Sequence, residues 1–123
     1  MRIIVTGALG HIGSSLCRHL SGAFPGAEIV MIDNLLTMRY YSLFDLPSTG
    51  RFKFVEADIL KMNLVDVFKG AAVVIHLAAI TDAANSFQNR DLIEEVNYKA
   101  TIKVAQECLI ADCPLIYLSD RKS

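Results

Sequence analysis

Short runs of branched apolar residues alternate along this chain with stretches of helical spacing. Ile3-Ile4-Val5 closes at Thr6-Gly7, and Ile29-Val30-Met31-Ile32 closes at Asp33. Between them, Ile12, Leu16 and Leu20 recur at i, i+4 and i+8, which predicts a helix burying that face. Pro25-Gly26 punctuates the passage to the second strand. Residues 34–50 are mixed, with Pro47 and Gly50 as breakers, and a short helix is expected near Tyr41–Asp45. Phe52–Val55 reads as a third strand, followed by a short helix around Leu64–Lys69, and Ala72–His76 as a fourth strand. The longest helix is expected from about Asp91 to Ala111, with Asp91 and Glu94 at capping-box spacing. Leu92, Val96, Ala100, Val104 and Cys108 would form its buried stripe, and Glu95, Lys99 and Lys103 a solvated row. Pro114 would stop it before a fifth strand, Leu115–Leu118.

Strands joined through helices imply right-handed crossovers and a parallel sheet covered on both faces. The expected class is α/β, a Rossmann-type doubly wound sheet in the order 3-2-1-4-5. Arg51-Phe52-Lys53-Phe54 alternates polar and apolar, as suits a strand near an edge. The fifth strand is apolar throughout, although it would also lie at an edge, where such a run invites aggregation. The expectation is one incomplete domain over residues 1–123, truncated after the fifth strand.

Composition narrows the function classes. Of 123 residues, 53% are hydrophobic and 20% charged, which suits a folded globular chain. Lys+Arg 12 against Asp+Glu 13 gives a net charge of −1, without the basic excess of a nucleic-acid binder. Ala71–Ile80, the longest apolar stretch, is interrupted by His76 and too short to span a bilayer, so no membrane partner is expected. Met1-Arg2 precedes only three apolar residues before Thr6-Gly7, so no secretory leader is expected. The 3 cysteines, Cys17, Cys108 and Cys113, form no CxxC pair. A reduced, cytoplasmic setting without a metal site follows as the expectation.

The most informative segment is Thr6-Gly7-Ala8-Leu9-Gly10-His11-Ile12-Gly13, between a strand and a helix. Gly7 would permit the tight turn, Gly10 the approach of a pyrophosphate, and Gly13 the close packing of helix on sheet. The helix N-terminus would then present free N–H groups to the phosphates. Asp33 ends the second strand, where a carboxylate accepts hydrogen bonds from both hydroxyls of an adenosine ribose. A 2′-phosphate would meet negative charge there, so NAD is expected over NADP.

T-G-x-x-G-x-x-G, together with Asp33-Asn34-Leu35, Asp58-Ile59, His76-Leu77-Ala78-Ala79, Ser86 and Val96-Asn97, resembles the NAD-dependent epimerase/dehydratase family, among the extended short-chain dehydrogenase/reductases. The resemblance runs to about Ser119. It implies a cofactor site built from Gly7, Leu9, Gly10, His11, Ile12, Gly13, Asp33, Asn34, Asp58, Ile59, Leu77, Ala78 and Ala79. Asp58 and Ile59 would flank the adenine, and the backbone of Leu77, Ala78 and Ala79 would line the ribose and pyrophosphate. Asn97 would support the active-site geometry, and Thr81 and Ser86 fall where relatives contact cofactor or substrate. Ala100 replaces the family's usual Gly. For His76 a buried, hydrogen-bonded role is expected rather than a catalytic one.

The implied chemistry is transient hydride transfer at a sugar hydroxyl, with a nucleotide sugar as partner of the full-length enzyme. It needs a Tyr base with Lys four residues on. Tyr40, Tyr41, Tyr98 and Tyr117 are followed at that spacing by Phe44, Asp45, Ile102 and Arg121. No catalytic residue is therefore expected in this chain beyond the supporting Asn97, and these residues alone should not turn over substrate. A non-catalytic dinucleotide sensor and an extended reductase on a non-sugar substrate are the alternatives. Relatives often dimerise through the long helix, so a homodimer is also expected, with self-association through the fifth strand as another route.

Overall fold

The computed structural model describes residues 1–7, 11–33, 51–78 and 90–119, with the side chains of residues 11, 12, 78, 90–97, 118 and 119 outside that description. Along the chain run β1 (Arg2–Thr6), α1 (His11–Ala23), β2 (Glu28–Asp33), β3 (Arg51–Glu56), α2 (Val65–Phe68), β4 (Val73–Ala78), α3 (Arg90–Ala111) and β5 (Leu115–Ser119). The strands form a parallel 5-stranded sheet in the order β3-β2-β1-β4-β5, the expected doubly wound order. The helix expected near Tyr41–Asp45 lies outside the described residues.

Side chains alternate across this sheet, and that alternation builds two cores. Ile3, Val5, Ile29, Met31, Ile75 and Leu77 face α1 and pack with Cys17 and Ala27. Ile4, Val30, Ile32 and Val74 face the other way and pack with Leu64, Phe68, Val104 and Cys108. Strands buried on both faces read as unbroken apolar runs, which is why β1, β2 and β4 could be found from pattern alone. β3 at the edge alternates exposed and half-buried positions.

Three local expectations need correction. The buried face of α1 centres on Gly13, Ser14, Cys17 and Ser21, while Leu16 and Leu20 pack only at its rim. Small residues on that face let the helix lie close to the sheet. β4 begins at Val73 and continues to Ala78, two residues past His76, because β5 keeps pairing with it there after β1 has ended at Thr6. α3 starts at Arg90 rather than Asp91, so Asp91 sits within the helix. At its other end α3 stops before Pro114. Asp112 turns into the left-handed region at φ 55, and Cys113 N donates to Cys108 O at 2.9 Å, the bond pattern of a Schellman turn.

Candidate functional site

The strand order reverses at β1, whose neighbours β2 and β4 are continued by connections running in opposite directions. A crevice opens at the carboxyl ends of strands at such a point. Register places Thr6 level with Ile32 and His76, so Gly7, Asp33 and Leu77 come to one edge of the sheet. Gly7 N donates to Ile32 O at 2.9 Å, which fixes the turn against β2.

Gly7 has φ +69, and a Cβ built there would lie 2.7 Å from Leu77 O. Both conformation and space therefore demand glycine. The result is bare backbone between β1 and β4. α1 begins four residues later, at His11, with no acidic side chain in its first turn to offset the positive end of its dipole. Gly13, in the first turn of α1, is buried, as helix-on-sheet packing requires. Leu9, Gly10, Asn34 and Ala79 lie outside the described residues, as do Thr81 and Ser86. For His11, Ile12, Ala78 and Asn97 only the backbone is described, on α1, α1, β4 and α3 respectively.

Asp33 ends β2, half-buried beside that crevice, and its carbonyl accepts from Ala57 N at 3.0 Å. The chain then passes to Asp58 and Ile59, so both expected ribose and base contacts lie on neighbouring strand ends. Asp58 also shapes its own turn. Its Oδ1 accepts from Leu60 N at 3.0 Å, and its Oδ2 lies 4.0 Å from Lys61 Nζ. Ile59 packs at the margin of the second core.

His76 is buried, as expected, and uses both ring nitrogens. Nδ1 lies 2.6 Å from Thr6 Oγ1, and Nε2 lies 3.2 Å from Thr101 Oγ1. Burial lowers its pKa from 6.5 to about 4, so the ring is neutral at neutral pH. Tyr117 stacks on it with ring centroids 5.7 Å apart. Burial likewise raises Cys17 to about 12, making it an inert core thiol. Among the described residues no His, Cys, Asp and Glu cluster could hold a metal ion, and no helix is long and apolar enough to cross a membrane.

Sequence reasoning missed Glu107 and misread Lys103. Glu107 is buried, where its Oε2 accepts from Leu64 N at 3.0 Å and its Oε1 lies 2.8 Å from Lys103 Nζ. Lys103 bends off the solvated row to meet Glu107 and Met62 O. A signal existed: Glu107 falls three residues after Val104, on the stripe that helical spacing marks as buried.

A parallel sheet in this order, with a glycine turn at the crossover and an acid ending the second strand, defines a Rossmann-type α/β unit. The chain belongs to the 3-beta hydroxysteroid dehydrogenase/isomerase family, whose model matches residues 4–122. It is 33% identical over 114 residues to a UDP-glucose 4-epimerase of Mycolicibacterium smegmatis, covering 90% of this chain and 36% of that protein. A dTDP-D-glucose 4,6-dehydratase of Dictyostelium discoideum is 32% identical over 87% of this chain and 26% of its own length. UDP-glucuronic acid 4-epimerase from Bacillus cereus, solved in complex with NAD, superposes with a TM-score of 0.77 at 30% identity. That match covers 100% of this chain and 42% of the other. These relatives bear out the resemblance to epimerases and dehydratases. The chain spans between 17% and 36% of the length of the curated relatives it matches.

Proposed function

We propose that this chain is the NAD-binding portion of a nucleotide-sugar epimerase or dehydratase. The observation that carries the reading is Gly7, held at φ +69 with Leu77 O where a side chain would begin, next to Asp33. That bare backbone fits a pyrophosphate, which needs close approach and amide donors. The turn 7–13 would hold the diphosphate and Asp33, with Asn34, the ribose hydroxyls. Asp58 and Ile59 would meet the adenine, and the backbone of Leu77, Ala78 and Ala79 would line the path between. Bound NAD would supply a reversible hydride acceptor for a sugar hydroxyl.

The matched family takes its name from steroid chemistry. Relatives named for UDP- and dTDP-sugars support the sugar reading, and the acid at position 33 supports NAD over NADP. The Bacillus cereus epimerase in complex with NAD supports the cofactor. Tyr117 lacks a Lys at 121 and stacks on His76, so it does not supply the base. The Tyr–Lys pair and the sugar-binding residues would then belong to a part of the protein outside these residues, and this chain alone would not catalyse. The working protein would be a cytoplasmic homodimer. Tyr98, Ile102 and Leu109, exposed along α3, support an association face.

Calorimetric titration with NAD⁺ and NADP⁺ tests the reading. The chain should bind NAD⁺ more tightly, and Asp33→Ala should weaken NAD⁺ by about 10- to 100-fold, the loss of hydrogen bonds to a charged acceptor. It should also narrow the preference over NADP⁺. Binding of neither dinucleotide would overturn the proposal.

A further inference from the structure

Segment 57–64 is fastened at both ends. At its start Ala57 N donates to Asp33 O at 3.0 Å. At its end Leu64 N donates to Glu107 Oε2 at 3.0 Å, and the Lys103 ammonium donates to Met62 O. Between these points the segment coils on itself: Leu60 N donates to Asp58 Oδ1, and Lys61 N and Met62 N both donate to Asp58 O. Fixing Met62 and Leu64 therefore fixes Asp58. Leu64 and Phe68, fully buried, seat the same stretch on its apolar side.

Stability alone does not account for Glu107. The residue is 7% exposed, and a buried ion pair is often no better for stability than an apolar replacement of equal volume. What it does supply is geometry. Each carboxylate oxygen has one partner, the Lys103 ammonium at 2.8 Å and the Leu64 amide at 3.0 Å, and both partners lead to segment 57–64. Because Asp58 Oδ1 accepts from Leu60 N within the turn, the direction its carboxylate offers to a ligand amine depends on where the turn is held.

We propose that Glu107, paired with Lys103, is a positioning residue for the base-binding end of the site, holding segment 57–64 so that Asp58 and Ile59 meet an adenine amine. This rests on the dinucleotide-binding reading given above. Glu107 acts through the turn and touches no ligand itself.

The test compares NAD⁺ with the analogue whose adenine is replaced by hypoxanthine, which lacks the exocyclic amine. Both are titrated into the chain and into Glu107→Leu, Glu107→Gln, Lys103→Met and Val104→Ala. Thermal melts and amide hydrogen exchange accompany each variant. The parent should prefer NAD⁺ by about tenfold, the worth of one such hydrogen bond. Glu107→Leu should cut that preference to about twofold or less, while Glu107→Gln, which keeps an acceptor for Leu64 N, retains most of it. Val104→Ala, a core truncation on the same helix, should lower the melting temperature and leave the preference intact. If Glu107→Leu fails to fold, Lys103→Met gives the answer by a partial loss. Full preference in a folded Glu107→Leu or Lys103→Met overturns the proposal. A parent that binds neither dinucleotide overturns the function reading and the positioning role with it. The fastening itself is then judged by exchange at the Leu60–Leu64 amides, and unchanged exchange in the variants refutes it too.

Discussion

His76 sits where three strands and the long helix meet, and its neutrality is part of that junction. Its ring bridges Thr6 on β1 and Thr101 on α3, while Tyr117 on β5 covers its face. In the unfolded chain it titrates near 6.5, and in the fold near 4. Between those values the unfolded chain binds the extra proton, so stability falls as pH drops through that window and levels off below it. The difference corresponds to about 3 kcal/mol. Urea melts at about pH 7 and about pH 4.5 should show a steeper loss in the parent than in His76→Gln, and equal slopes would contradict the assignment. That this histidine is buried and satisfied was legible in its apolar surroundings. Its partners were not, because Thr6 and Thr101 lie 70 and 25 residues away along the chain. Gly7 is the opposite case. Its role follows from a local motif, although the carbonyl that forbids a side chain belongs to β4.

Helices and strands here were legible in their interiors and less so at their ends. Interior residues obey a period set by the backbone, whereas an end depends on what the flanking residues meet. Pro114 marks where α3 must have stopped, yet Asp112 makes the turn, at φ 55. Asp tolerates that region better than most residues, but glycine adopts it without cost, and a carboxylate at a helix C-terminus opposes the dipole. Asp112→Gly should therefore stabilise the protein by roughly 0.5–1 kcal/mol, read as a higher urea midpoint with an unchanged slope. A lower midpoint would show that the side chain has a stabilising partner. On α1 the largest apolar residues mark the rim of the contact and the small ones its centre. Periodicity found the correct face within a fraction of a turn. Volume decided which residues touch, since close approach to the sheet admits Cys17 and Ser21 and pushes Leu16 and Leu20 outward.

The doubly wound sheet makes one edge polar and leaves the other apolar. β3 presents Arg51 and Lys53, the kind of residues that blunt an edge. Among the described residues β5 pairs only with β4, with Ile116 48% and Tyr117 46% exposed. An apolar edge of that kind seeks a further strand. The chain is expected to self-associate as its concentration rises, and Ile116→Lys to suppress this with stability changed by no more than about 0.5 kcal/mol. Light scattering over a concentration series checks it, and a parent that stays strictly monomeric would refute it. Strand identity and the glycine turn were readable from the order of residues because each depends on neighbours within one βα unit, and parallel pairing and sheet order followed from the alternation of strands with helices. Glu107 reaching Leu64, Lys103 reaching Met62, and Leu77 closing over Gly7 emerged only in the folded chain. Each joins residues that sequence keeps far apart, and no local period records which distant backbone a side chain will meet.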